Sequence, residues 1–282
     1  MAAVEKAVEK KESSPKAAAA VPPLDEETTK SRLYLRCALP LAKVVREDNA
    51  AFYDKLLFMF KGVVQLGVKG DDSLYTQFIF NNGEMGIAFG RNPDAALTLE
   101  FPTKAAFNGF MAGKMGPQYL FVPKPFYRLD ALIRVLPMLL ALKILDPNNI
   151  PTDPKKQAVK VKLTLYMITS ALSQLNRCRN PKMVDWTKNQ PDRIYQWTVQ
   201  EGGPAAYLRI KAGKTKSGRG VYKRKSPFVH MLFPDIKSAF MVLTNQAPLV
   251  EAVAKGFVVT EGAMEYSKDI GGFMQTIEAM LK

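Results

Sequence analysis

Polar and apolar positions divide the chain into short segments that read as β-strands and longer ones with an apolar face every three to four positions, the period of a helix. Residues 63–68, 75–80 and 84–89 read as strands, separated by Gly70-Asp-Asp72 and Asn81-Asn-Gly83. Asn-Gly between two β-rich runs predicts a tight hairpin. The same order returns at 194–199, 206–211 and 220–225, broken by Glu201-Gly-Gly-Pro204 and by residues 212–218. Each set leads into one junction, Ala95-Ala-Leu-Thr-Leu-Glu-Phe-Pro-Thr-Lys-Ala-Ala-Phe107 in the first half and Phe228-Val-His-Met-Leu-Phe-Pro-Asp-Ile-Lys-Ser-Ala-Phe240 in the second. In both copies a strand closes at Phe-Pro, a Thr or Asp caps the next turn, and Ala-Phe opens an apolar helix face.

Each half also begins with a helix. Asp48 or Asn49 caps residues 50–60, where Phe52, Leu56, Leu57 and Phe60 share a face, and residues 155–178 carry Val161, Leu165, Ile168, Leu172 and Leu175 at helical spacing. After its junction the first half runs into the apolar stretch 126–145. The second continues through 248–254, a short strand at 256–260 and a closing helix at 266–281. The doubled order predicts an α+β fold of two modules, each with helices on one face of a sheet. Residues 31–152 form the first module and 153–282 the second. Residues 1–30, rich in Ala, Lys, Glu, Pro and Ser, read as a disordered tail.

With Phe101-Pro-Thr-Lys-Ala-Ala-Phe107, Phe110-Met-Ala-Gly-Lys-Met115, Phe233-Pro-Asp-Ile-Lys-Ser-Ala-Phe240 and Ala254-Lys-Gly-Phe-Val-Val-Thr-Glu-Gly262, the chain resembles the sterol carrier protein type 2 domain family over residues 50–145 and 194–281. The resemblance implies two modules in tandem. In each, an antiparallel sheet of about five strands and its helices would enclose an apolar tunnel for a lipid, fatty acyl chain, sterol or isoprenoid. The basic insertion at 211–225 and the hydrophobic helix at 129–145 depart from the family pattern.

Apolar side chains gather where such a tunnel would lie: Phe107, Phe110, Met111 and Met115 in the first module, and Phe240, Leu243, Phe257, Val259, Phe273 and Ile277 in the second. Met is unbranched and polarizable, which suits a pocket for variable apolar shapes. Plain core packing is the competing reading at every one of these positions. The second module is expected to hold the better-formed pocket, because it keeps the strand near Phe257 and the closing helix.

The charge is unevenly placed. Residues 155–225 hold 17 Lys and Arg against 3 Asp and Glu, a net +14 that equals the formal charge of the whole chain. Lys211, Lys214, Lys216, Arg219, Lys223, Arg224 and Lys225 cluster in a predicted hairpin. Such a patch suits an anionic membrane surface or an acidic protein partner, and a solvated loop is the plain alternative. Tyr195, Trp197, Tyr207 and Tyr222 interleave with it on strands, as in sheets that stack nucleic-acid bases, so a nucleic-acid or protein-binding scaffold is the second reading.

Catalytic signatures fail on inspection. His230 is the single histidine and lies within a strand, where packing is the simpler role. Cys37 and Cys178 are far apart in sequence and supply no metal-ligand spacing. Gly213-Lys-Thr215 resembles the end of a phosphate-binding loop, but Leu208 stands where that loop requires Gly. Asp71-Asp72 reads as a turn. No run reaches the ~18 uncharged apolar residues of a membrane span, since 129–145 contains Asp130, Arg134, Pro137 and Lys143. The start of the chain lacks a secretory pattern. The sequence therefore predicts a cytoplasmic lipid-binding or lipid-transport protein with no catalytic residue, metal or cofactor, whose partner is a hydrophobic small molecule. An accessory subunit of an enzyme acting on hydrophobic substrates is a further alternative.

Overall fold

The computed structural model of the protein describes residues 22–281. Residues 1–21 of the expected tail lie outside the described residues, and the rest of that tail is corrected. The carboxylate of Asp25 accepts the Thr28 N–H at 2.8 Å and caps helix α1 (Glu26–Leu33). The buried face of α1 is largely polar: Thr28, Thr29 and Ser31 lie beside Leu33, and the Ser31 hydroxyl donates to Asn108 Oδ1 at 2.9 Å. A polar inner face leaves no hydrophobic periodicity to read. From α1 the chain passes through a π-helical turn at Tyr34–Ala38 and a 3₁₀ turn at Leu39–Leu41 into α2 (Ala42–Asp48) and α3 (Ala50–Leu56).

The first sheet comprises β1 (Lys61–Val68), β2 (Tyr75–Asn81), β3 (Glu84–Phe89), β4 (Leu97–Phe101) and β5 (Val122–Lys124), in the order β3-β2-β1-β4-β5. Helix α4 (Lys104–Met111) follows β4, and α5 (Leu129–Ala141) follows β5. The second half repeats this after α6 (Pro154–Arg177) and α7 (Pro181–Lys188). Its strands are β6 (Arg193–Val199), β7 (Ala205–Lys211), β8 (Lys214–Arg219), β9 (Val229–Phe233) and β10 (Val259–Gly262), in the order β8-β7-β6-β9-β10. Helices α8 (Ile236–Leu243) and α9 (Leu249–Ala254) precede β10, and α10 (Ser267–Leu281) follows it. The two sheets are separate and their strand orders are the same.

Each sheet is mixed rather than wholly antiparallel, because β1 pairs with β4, and β6 with β9, in parallel. The third strand lies at one edge, and the fourth joins the far side of the first. The chain therefore crosses the sheet and re-enters it in the same direction as the first strand. A buried glutamine holds each crossing. Gln65 Nε2 donates to Asn92 O at 2.8 Å while its Oε1 accepts the Asn92 N–H at 2.8 Å. Gln196 Nε2 donates to Ala206 O at 3.0 Å while its Oε1 accepts the Tyr222 N–H at 3.0 Å. The repeat extends to backbone bonds outside the ladders: Lys69 N–H donates to Phe101 O and Gln200 N–H to Phe233 O, both at 2.9 Å.

The β2–β3 and β7–β8 hairpins each turn on two residues with positive φ, Asn82-Gly83 at 49° and 88° and Ala212-Gly213 at 47° and 74°. The tight turn corrects the expected strand at 220–225, which is a loop crossing the sheet, while β8 occupies 214–219. Gly218 pairs with Tyr207 in β8, and a Cβ there would fall 2.2 Å from Tyr207 Cζ. The closing strand also shifts, from 256–260 to Val259–Gly262, so Phe257 lies ahead of it.

Two hydrophobic cores form, and a shared helical layer feeds both. Tyr34 and Leu35 enter the first core, whereas Leu33 and Cys37 enter the second. Helix α6 sends Leu163 into the first core and Val161, Leu165, Leu172 and Leu175 into the second. Lys160, buried on α6, donates through Nζ to Asp146 O at 2.8 Å and Asn149 O at 2.6 Å. The Tyr34 hydroxyl donates to Leu281 O at 2.8 Å, joining the start of the fold to its end.

Replacing either clamp, Gln65→Met or Gln196→Met, strips paired backbone groups of their partners and is expected to cost about 1–3 kcal/mol. Urea unfolding checks this. An unchanged midpoint in both variants would show that the crossings hold themselves.

Candidate functional site

The structure separates the apolar side chains expected to line a tunnel. Phe107 is fully buried, with its ring 5.3 Å from Phe101 and 6.1 Å edge-on to Tyr34. Met111 packs against the same core. Phe240, Phe273 and Ile277 are buried in the second core, with Leu243 and Phe257 packed against it, and Phe273 lies 5.2 Å from Trp186. Three others face outward: Phe110 is partly exposed beside Phe121, Val259 lies on the edge strand β10, and Met115 is 92% exposed. The doubled junction places Phe107 and Phe240 at matching positions, and there each fills its core.

The largest departure from ordinary burial is at α5. Its inner face places Ala131, Val135 and Met138 in the first core, continued by Leu142 in the 3₁₀ turn that follows. Its outer face repeats the same spacing with Leu129, Ile133, Leu136 and Leu140, all exposed, Ile133 at 64%. A helix apolar on both sides is normally covered on both. Before it stand Phe126 and Tyr127, 78% and 74% exposed, with ring centroids 6.4 Å apart, and before them Leu120 and Val122, also exposed. Arg134 Nη1 donates to Leu56 O at 2.6 Å and its guanidinium lies 5.6 Å from the Phe60 centroid. That contact fixes α5 beside the turn that presents Phe58 and Met59 to solvent. The charges around this surface are mutually paired, Arg128 with Asp130 at 3.0 Å and Lys124 with Glu100 at 2.6 Å. Sequence reasoning marked residues 129–145 as unusually hydrophobic but missed the uncovered stripe. The signal was the pair of interleaved apolar spacings.

The cationic residues are also divided. Lys211 and Lys214 face each other across the Ala212-Gly213 turn, with Lys216 next along β8, and Lys223, Arg224 and Lys225 follow on the crossing loop. Arg219 points elsewhere: its guanidinium lies 5.2 Å from the Tyr166 ring on α6. None of the seven forms an ion pair among the described residues. The aromatic residues expected to stack bases are not on one open face. Tyr195 and Trp197 are buried in the second core, and Tyr207 and Tyr222 pack edge-on against each other at 4.9 Å.

His230 Nε2 lies 2.9 Å from Thr198 Oγ1, and Glu261 is 3.7 Å from Nδ1. Burial lowers the imidazole pKa, and the nearby Glu261 carboxylate opposes that effect. Cys37 and Cys178 are buried and free, and burial pushes the Cys37 thiol up to about 12. Neither is a ready nucleophile. Among the described residues no group of three or more His, Cys, Asp or Glu could hold a metal ion, and no helix is long and apolar enough to cross a membrane.

Neither of two cavities on the described surface is lined by any of the ten apolar residues expected to hold a ligand. One, of about 480 Å³, is a groove between Glu27, Lys69–Asp71 and Thr103–Ala105. The other, of about 180 Å³, lies where the two modules meet, between the π-helical turn, α6 and β8.

No protein-family model and no curated protein sequence matches the chain. Solved structures similar to parts of it include a double mutant of the sec-alkyl sulfatase PisA1, 14% identical with a TM-score of 0.27 over 50% of this chain and 21% of that one. Sterol Carrier Protein 2 Like 2 from Aedes aegypti is 14% identical with a TM-score of 0.27, over 39% of this chain and 95% of that one. The stereoselective inverting sec-alkylsulfatase Pisa1 from Pseudomonas sp. is 14% identical with a TM-score of 0.24, over 53% of this chain and 27% of its own. The match thus spans a quarter or so of the sulfatases and nearly all of the carrier-like protein. Likeness at this level decides nothing about this chain, whose α+β fold rests on its own strand order and register.

Proposed function

We propose that the protein binds a hydrophobic ligand of the acyl-chain, sterol or isoprenoid class, without transforming it, on the uncovered side of α5 in the first module. The observation that carries this reading is the second apolar stripe, Leu129, Ile133, Leu136 and Leu140, on a helix whose other face already fills a core. Contiguous apolar surface of this kind marks a binding site in a monomeric protein, because leaving it in water is costly. Phe126 and Tyr127, just before α5, are exposed as well. In the second module a ligand would enter only if α10 lifted, since Phe273 and Ile277 of that helix fill the second core.

In this reading the protein works in the cytoplasm as a carrier, and Lys211, Lys214, Lys216, Lys223, Arg224 and Lys225 dock it on an anionic membrane. The scaffold reading rests on the same unpaired cations, but burial of Tyr195 and Trp197 removes half of its stacking platform.

Displacement of a fluorescent fatty acid from the full chain tests the ligand site. Ile133→Glu with Leu136→Glu removes two apolar contacts worth together about 3 kcal/mol, so affinity falls roughly a hundredfold, while exposed substitutions leave stability within about 0.5 kcal/mol. Retained uptake in the variant would contradict the assignment. So would a parent that binds no fatty acid but self-associates through this face.

Replacing Lys211, Lys214 and Lys216 together by Gln should weaken binding to phosphatidylserine vesicles by about 1 kcal/mol per charge, an effect that added salt reproduces. Retention on single-stranded RNA that these changes abolish, with no vesicle binding by the parent, would favour the scaffold.

A further inference from the structure

The 180 Å³ cavity between the modules has a different chemistry from the α5 face, and its argument is independent of that reading. Its walls come from both halves: Arg36 and Cys37 in the π-helical turn, Tyr166, Thr169 and Ser170 on α6, and Ser217 and Arg219 on β8. Two arginines therefore border one small space. Neither forms an ion pair with a carboxylate among the described residues.

Arg36 is held as a cation without a counterion. Its Nη2 donates to Ser73 O at 3.2 Å, its guanidinium lies 5.0 Å from the Phe89 ring, and its Nε is buried with no hydrogen-bond partner. Burial and the nearby charges of Arg32 and Arg177 both lower its pKa. Arg219 stacks on Tyr166 at 5.2 Å. The two contacts are related by the repeat. Phe89 and Arg219 each end the third strand of their sheet, and each meets the first long helical segment of its own half. In the first half the helix supplies the cation and the strand the ring, and in the second the roles are exchanged. That exchange brings both cations to the seam. The Thr169 and Ser170 hydroxyls donate to carbonyls of α6, at 3.0 Å to Leu165 O and 2.8 Å to Tyr166 O. The Tyr166 and Ser217 hydroxyls have no such bond and are available as donors.

We infer that this cavity is a binding site for a small oxyanion group, a phosphate, sulfate or carboxylate, gripped by Arg36 and Arg219 and completed by the hydroxyls of Tyr166 and Ser217. Guanidinium pairs suit such groups because their N–H donors match oxyanion geometry. The bound anion would neutralise Arg36 and link the two modules through one ligand.

The test uses the full chain and two probes, inorganic phosphate and dodecyl phosphate, followed by calorimetry and by melting temperature at ionic strength matched with chloride. The parent is expected to bind phosphate and to melt higher in it than in chloride, since a ligand of the folded state stabilises it. Arg219→Gln, an exposed change, should reduce the affinity at least about tenfold, as loss of one charge-assisted contact does. Arg36→Gln should abolish the phosphate-dependent shift in melting temperature, because it removes one of the two cations that grip the anion. Binding of both probes identifies a free oxyanion. Binding of dodecyl phosphate alone, with the same loss in Arg219→Gln, identifies an oxyanion carried as a lipid headgroup. Equal melting shifts in phosphate and chloride, or affinities unchanged in both variants, would overturn the assignment.

Discussion

The structure depends on one helical layer that serves two cores at once. The α1 helix passes into a π-helical turn, and the two together present one face to each core. Leu33 and Cys37 join the second core, while Tyr34 and Leu35 join the first. Helix α6 does the reverse from the other half, giving Leu163 to the core that precedes it in the chain. The consequence is that a chain boundary near residue 153 does not coincide with a packing boundary. Each core draws side chains from a helical segment of the other half.

Within that frame the two halves are built by the same rules and diverge where they meet solvent. Gln65 and Gln196 sit at matching places and tie the crossing loop to the sheet, so a polar side chain in a buried strand is fully satisfied in both. The first hairpin ends on Asn-Gly and carries little charge, whereas the second ends on Ala-Gly between Lys211 and Lys214. Beyond the fourth strand, α10 closes on its sheet with one apolar face, and α5 carries two. Core positions keep the fold, and the two halves differ at their surfaces.

Much of this order was legible in the sequence, and the failures have physical causes. The hairpin of β2 and β3 was plain because Asn82-Gly83 names its own turn. β8 was displaced by several residues because Ala212 adopts a positive φ without a glycine to announce it. The parallel pairing of the first and fourth strands leaves no periodic trace, since it is fixed by where the loop crosses. α1 was missed because its inward face is Thr28, Thr29 and Ser31, satisfied by partners such as Asn108 far along the chain. Candidate ligand residues chosen for being Phe or Met were drawn largely from the core, for the same reason that such residues fill cores. The uncovered face of α5 required knowing which stripe the core had already used. Arg219 was singled out as charge and Arg36 was not, because their partnership depends on how the halves pack.

The interlocked cores can be tested by placing a defect in one half and watching the other. Both tryptophans, Trp186 and Trp197, lie in the second half, so their fluorescence reports its unfolding alone, while far-ultraviolet circular dichroism reports the whole chain. Leu99 is buried in the first core, and Leu99→Ala removes about 2–5 kcal/mol there. With shared helices, the tryptophan-detected urea midpoint of the variant falls together with the circular dichroism midpoint in a single transition. A tryptophan midpoint that stays at the parent value, while circular dichroism splits into an early and a late step, would show that the halves are independent domains and contradict this account.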